Sequence, residues 1–457
     1  MSDHWSRRRA LAAAGATLVA GCAGSPPSAG SAGDAADGGD PTENATPTPE
    51  PTPVPEPDTS FEPREWTAPT DAPSPDVERT VLVENLEIPW DISVASNGDL
   101  FVTERVGRVS RFAGGDLDTV FAPGDAIDAE AIPQSQTEQQ WWVKGGEGGT
   151  LGVAVHPNYP DVEVLYVYYT ADTDDGKRNR VSRFDLSASD PAASEQVVVG
   201  DMAANKFHNG GRIAFGPEGY LWVTTGDAGE DPLAADPGEL PGSVLRVTVN
   251  GEPAPDNPDI DGGDPRVFTY GHRNPQGLVW LPDGTPVINE HGPAGRDEVN
   301  RLVPGGFYGW PETRTADQYR ALPADSDVRR PLANTQRGGW APTGSLFYTG
   351  DAVPSWRNRM LIGGLRSQQL VVLTLSPPGA ELPPVGEGRR FDADWMDDAY
   401  TATAHPLLKD EFGRIRHVEQ GVDGELYLIT SNRDGRSGKG GFPKDNHDVL
   451  VKLEATE

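Results

Sequence analysis

Two residues of complementary chemistry flank one turn-forming stretch. His208 lies in Lys206-Phe207-His208-Asn209-Gly210-Gly211-Arg212, and Asp227 lies near the end of the run IAFGPEGYLWVTTGDAG that follows. Gly216-Pro217-Glu218-Gly219 between two apolar runs reads as the turn of a hairpin. A hairpin of this length places His208 at the start of one strand and Asp227 at the end of the next, so both come to the same end. A carboxylate beside an imidazole fixes its tautomer and stabilises the imidazolium, which makes a proton-accepting pair. A histidine that merely satisfies a turn has the same local sequence, and this stretch alone leaves both readings open.

A second set of residues is cationic. Arg273-Asn274 lies in Gly271-His272-Arg273-Asn274-Pro275-Gln276-Gly277, Arg366 follows an apolar run, and Arg414 and Arg416 alternate so as to share one face of a strand. Glu147, in Gly145-Gly146-Glu147-Gly148-Gly149, and Trp340 and Thr343 stand at comparable places before apolar runs. Arginines gathered into one floor on an acidic protein call for a small polyanionic ligand, because the guanidinium fork pairs with carboxylate geometry. A third set is rich in oxygen ligands: Glu290-His291-Gly292-Pro293 through Asp297-Glu298-Val299-Asn300, then Gly306-Phe307-Tyr308. Adjacent acids and loop carbonyls suit calcium.

The elements that must position these groups recur. From about residue 76 an apolar run, a small turn, a β-rich run and a return strand repeat roughly every 60 to 70 residues, beginning near Ile88, Leu151, His208, Pro275, Thr343 and Arg414. Long helical periodicity is absent. The expectation is an all-β, six-bladed β-propeller over 76–457; a sandwich or β-helix is the alternative. In a propeller, equivalent blade positions converge around the channel, which is where His208 and the cationic set fall; the oxygen-rich set follows the fourth repeat.

The chain has 457 residues, with 38 basic and 70 acidic side chains and a formal net charge of −32. Such a surface repels nucleic acid and anionic lipid, and the acid-rich, lysine-poor balance suits a halophile, where salt screens the self-repulsion. One cysteine, Cys22, excludes an intrachain disulfide and a cysteine-based metal site. Ser6-Arg7-Arg8-Arg9, a short apolar run and Val19-Ala20-Gly21-Cys22 resemble a twin-arginine lipoprotein export signal over 1–22. The expected product is exported and lipid-anchored at Cys22 on the outer face of the membrane. Residues 23–75 are rich in Pro, Thr, Gly, Ser and acid and read as a disordered linker.

Taken in order on six repeats, several motifs together carry a resemblance: Gly148-Gly149-Thr150-Leu151-Gly152-Val153-Ala154-Val155-His156-Pro157, His208-Asn209-Gly210-Gly211-Arg212, Gly226-Asp227, Gly271–Gly277, Gly292-Pro293, Asp297–Asn300, Gly306-Phe307-Tyr308-Gly309-Trp310-Pro311 and Arg414-Ile415-Arg416. From about residue 76 onward the chain resembles the soluble, pyrroloquinoline-quinone (PQQ) dependent glucose and aldose sugar dehydrogenases, also called glucose/sorbosone dehydrogenases. The resemblance implies oxidation of an aldose at C1 to its lactone, with His208 as general base, Asp227 orienting it and Arg273 at the quinone oxygen. It also implies that Asn274 holds the cofactor edge, that Trp340 lies against the rings, and that Arg366, Arg414 and Arg416 bind the cofactor carboxylates, with Glu147 and Thr343 also in the cofactor-binding set. Carbonyls of Gly292 and Pro293 would ligate a Ca2+ touching PQQ, and Asp297, Glu298 and Tyr308 a separate structural calcium. Electrons would pass to a membrane quinone, a copper protein or a haem protein. The chain departs from the pattern at Glu147, where glutamine is frequent, at Arg366 in place of lysine, and at His417 in place of aspartate.

Two other classes stand beside this one. A calcium-dependent propeller lactonase needs acids or asparagines at the channel centre, where this chain places arginines. A non-catalytic binding propeller would be favoured by loss of His208, Arg273 or the paired arginines, all of which are present.

Overall fold

The inner strands of this protein are short and buried where they begin, three of them along nearly their whole length, which explains their continuous apolar or small-residue runs. In the computed structural model, which describes residues 53–132, 143–144, 146–437 and 441–456, these runs are Pro89–Val94, Thr150–Val155, Ile213–Phe215, Pro275–Trp280, Pro342–Tyr348 and Ile415–Gln420. Each opens one of six antiparallel sheets, and each abuts the inner part of the next blade in a closed ring. Five sheets have four strands and the fifth blade has five. The expected all-β six-bladed propeller is therefore the fold, and the one α-helix among the described residues is the six-residue Ala316–Ala321. The sixth blade takes its outer strand, Val77–Val83, from the start of the domain; it pairs with Leu450–Ala455 and closes the ring.

The ring's inner surface is shaped by β-bulges. The pairing of the inner strand with its neighbour slips between Pro89 and Asp91, Thr150 and Val153, Pro275 and Gly277, Pro342 and Ser345, and Ile415 and His417. A bulge turns its extra residue out of the ladder and re-aims its side chain. The residues so released include Trp90, Gln276, Thr343 and Arg416. All of these bulges lie at the end where the inner strands begin.

The segment read as linker needs correction over its last part. Residues 53–75 run extended across the opposite end of the propeller. Pro55 O lies 3.1 Å from His156 Nε2, Arg64 N donates to Pro282 O at 2.8 Å, and Trp356 Nε1 donates to Ser74 O at 2.8 Å. Trp66 meets Phe347 edge-on at 5.1 Å and stacks on Tyr400 at 6.1 Å. Composition argued against order because the segment has little apolar surface of its own; its partners are supplied by the blades. Residues 1–52, with the export signal, Cys22 and the rest of the expected linker, lie outside the described residues.

Candidate active site

The hairpin brings His208 and Asp227 together as expected. His208 Nδ1 lies 2.7 Å from Asp227 Oδ1, and the aspartate is fully buried. Two further donors hold that carboxylate: Gly229 N at 2.8 Å on Oδ1 and Trp310 Nε1 at 2.9 Å on Oδ2. The two loop segments touch, since Ala228 N donates to His208 O at 3.0 Å and a Cβ on Gly226 would overlap that same carbonyl. Glycine at 226 is therefore a packing requirement. His208 itself has φ +61, and its backbone N–H donates to Glu147 Oε2 at 2.8 Å. An ionised Asp227 accepting from Nδ1–H leaves Nε2 as the basic nitrogen.

Glu147 links the dyad to the arginine floor. Its other oxygen accepts from Arg436 Nη1 at 2.7 Å. Burial pushes this carboxyl up, but Arg436 and the His208 N–H outweigh it and hold it at about 2. Beside it lies a narrow cleft lined by Trp90, Arg105, Gln276, His291, Leu365, Arg414, Arg416, Asp434 and Arg436. Four of these are arginines facing the carboxylates of Glu147 and Asp434, so positive charge is in excess. Arg414 Nη2 donates to Asp434 Oδ2 at 2.6 Å, and Arg416 Nη1 donates to Gln276 Oε1 at 3.0 Å and Thr343 Oγ1 at 3.3 Å. Trp90 is flanked by two guanidiniums, Arg212 at 4.4 Å and Arg416 at 5.8 Å from its ring centroid.

Arg273 and Asn274 enter from the fourth blade. Arg273 O accepts from Asp227 N at 2.8 Å, its Nη1 donates to His291 O at 3.2 Å, and its guanidinium lies 5.3 Å from the Trp310 ring centroid. Asn274 Oδ1 accepts from Gly210 N at 3.0 Å. Arg273 Nε, Asn274 Nδ2, Arg416 Nε and His291 Nε2 are buried without protein partners. Burial drives the His291 imidazole down to about 3, so it is neutral. The Arg416 guanidinium in the cleft, with the Arg273 and Asn274 N–H groups left over beside it, offers open donors next to excess positive charge, which fits a bound planar group carrying carboxylates and carbonyl oxygens.

Other expectations are corrected. Arg366 is exposed: the turn Leu365-Arg366-Ser367 is fixed by backbone bonds to Ala341 O and Trp340 O, and it is Leu365 that lines the cleft. Trp340 belongs to the core of the fifth blade, edge-on to Phe391 at 5.8 Å, and is not among the lining residues; Trp90 is. Asp297, Glu298 and Tyr308 do not converge on an ion. Asp297 accepts backbone N–H groups from Gly292 at 3.0 Å and Ala341 at 2.8 Å. Glu298 is held by Arg314 at 2.8 Å, Tyr319 at 2.9 Å and Asn334 at 2.8 Å. Tyr308 donates to Arg301 O at 2.6 Å. Among the described residues no group of three or more His, Cys, Asp or Glu is placed to hold a metal. Nor do Gly292 and Pro293 offer two free carbonyls, because Pro293 O already accepts from Arg296 Nη1 at 2.8 Å. As they stand, these residues do not fit the expected calcium.

Arg105, Arg436, Trp90 and the role of Trp310 were not read from sequence. Trp310 sat in a quoted motif without an assigned task, whereas Arg105 and Arg436 follow no repeat pattern.

A family model described as Glucose / Sorbosone dehydrogenase matches residues 86–439. A Thermus thermophilus oxidoreductase whose structure is described as a glucose dehydrogenase is 35% identical, with TM-score 0.65 over 82% of this chain and 99% of that one. The PQQ-bound aldose sugar dehydrogenase of Streptomyces coelicolor is 29% identical, with TM-score 0.64 over 84% of this chain and 99% of that one. The Escherichia coli aldose sugar dehydrogenase YliI is 28% identical over 383 residues, 81% of this chain and 93% of its own.

Proposed function

The chain belongs to the glucose/sorbosone dehydrogenase family, and on that premise we propose that it is a PQQ-dependent aldose dehydrogenase oxidising the sugar at C1 to its lactone. The observation that carries this reading is the 2.7 Å His208–Asp227 pair opening beside the arginine-lined cleft. PQQ, when bound, supplies the two-electron acceptor for the hydride leaving C1.

The chain's residues do the rest. Nε2 of His208 takes the proton of the anomeric hydroxyl, and Asp227 stabilises the imidazolium that results. Trp310 and Gly229 keep the Asp227 carboxylate aimed at Nδ1. Arg414, Arg416, Arg105 and Arg436, which line the cleft with Trp90, would hold a carboxylate-bearing cofactor, and Asn274 Nδ2 is left open as a further donor to it. Arg273 would set a half-buried cation, stacked over Trp310, where negative charge collects. No role is drawn for calcium. We further propose export and anchoring at Cys22, which would put the site in contact with extracellular sugar and leave a membrane quinone, copper or haem protein to take the electrons.

The test is reconstitution of the purified protein with PQQ in high salt, following dye reduction with glucose, galactose and xylose. PQQ-dependent turnover that is lost in His208→Ala supports the reading. Absence of PQQ binding overturns it.

A further inference from the structure

The loop Gly292–Asp297 curls back on itself through three consecutive left-handed residues: Ala294 at φ +54, Gly295 at +88 and Arg296 at +58. An arginine adopts this conformation only with backbone strain, which a non-glycine residue retains where its surroundings over-determine it. The curl delivers the Arg296 guanidinium to the carbonyl of Pro293, where Nη1 donates at 2.8 Å. The loop is braced on every side. Asp297 Oδ1 accepts from Gly292 N at 3.0 Å, Arg296 N donates to Gln336 O, and a Cβ on Gly292 would overlap Arg296 O. Just before the curl comes His291, which lines the cleft and whose carbonyl receives Arg273.

The carbonyl that the family resemblance gives to a divalent cation therefore carries a monovalent one, the half-buried Arg296 guanidinium. A calcium ion on the remaining lone pair of Pro293 O would sit beside the guanidinium, two like charges on one carbonyl in a part-buried loop. We propose that Arg296 replaces calcium at the Pro293 carbonyl, supplying the positive charge at this edge of the cofactor cleft, so that this chain takes up its cofactor without a calcium ion there. The proposal rests on the reading of the cleft as the PQQ site. It concerns what completes that site.

The test uses the full-length apoprotein as wild type, R296G and R296K. Glycine suits φ +58 at this position, so R296G removes the cation without a backbone penalty. Calcium binding is titrated calorimetrically, and PQQ affinity is read by fluorescence quenching in calcium and in EDTA. Expected for wild type and R296K is a change in PQQ affinity below about twofold between the two conditions. R296G gains one calcium site per chain over wild type and binds PQQ at least about tenfold more tightly with calcium than in EDTA. Equal calcium stoichiometry in wild type and R296G overturns the proposal, as does a wild type whose PQQ affinity collapses in EDTA. If neither protein binds PQQ, the cofactor reading fails, while the calcium titration alone still decides what Arg296 does.

Discussion

Glu147 and His208 are joined through the backbone: the carboxylate Oε2 accepts the His208 N–H at 2.8 Å while Oε1 pairs with Arg436 at 2.7 Å. One acidic side chain thus ties the base to the cationic cleft, although the two belong to different blades. His208 is held in a left-handed conformation at φ +61, and this bond is part of what holds it there.

Glu147 sets a pH dependence of stability. Its folded pKa of about 2 lies below the ordinary carboxyl value of 4.5. The unfolded chain therefore binds the proton first as pH falls, and the contribution is complete above pH 4.5 and lost progressively toward pH 2. The upper bound is about 3 kcal/mol. E147Q keeps an acceptor for His208 but removes the charge. Denaturant melts from pH 6 down to about pH 2 should show wild type losing stability more steeply than the variant.

The dyad predicts a graded series. D227N leaves the geometry but removes the charge that stabilises the imidazolium, and kcat should fall by about 10²–10³-fold with PQQ affinity unchanged. W310F deletes the Nε1–H bond to Asp227 and shrinks the ring under Arg273, and it should reduce kcat by about three- to tenfold. Steady-state kinetics with saturating PQQ separate the two effects.

The cleft predicts a contrast between arginines. R416A removes a buried guanidinium from the proposed cofactor cleft and should weaken PQQ binding by about 10–100-fold. R366A, at an exposed position outside the cleft, should change it by less than about threefold. Fluorescence titration of both variants decides whether the floor is the one built around Arg416.

Beneath Arg273 lies a buried charge network. Arg314 pairs with Glu298 at 2.8 Å and Glu290 at 3.3 Å, and Glu290 in turn faces His272 at 3.2 Å. R314M should leave two carboxylates uncompensated and destabilise the fold by about 3–5 kcal/mol. Thermal melts with and without added calcium test this: a melt restored by calcium would return Glu298 to the role of a metal ligand.

The extended segment before the first strand also has a measurable part. W66A removes the ring packed on Phe347 and Tyr400 and should cost about 1–3 kcal/mol. A chain beginning at residue 76 should melt below one beginning at 53.

Local chemistry was legible without a structure. The apolar run, turn and return strand repeat because each blade is one hairpin-rich unit, so six blades follow from counting. His208 and Asp227 follow from the same logic, since one hairpin turn separates them. Partners brought together by ring closure did not follow. Arg436 reaches Glu147 across 289 residues, and Trp90 and Arg416 face the cleft because bulges turn them out of their ladders. Glu298 and Tyr308 looked like calcium ligands because a chain lists its oxygens without their neighbours; Arg314 and the Arg301 carbonyl had already taken them. Residue types and spacing determined the fold and the His208–Asp227 pair, because both depend on contacts within a blade. Which arginines line the cleft only the closed ring decided, because those contacts join blades far apart in sequence.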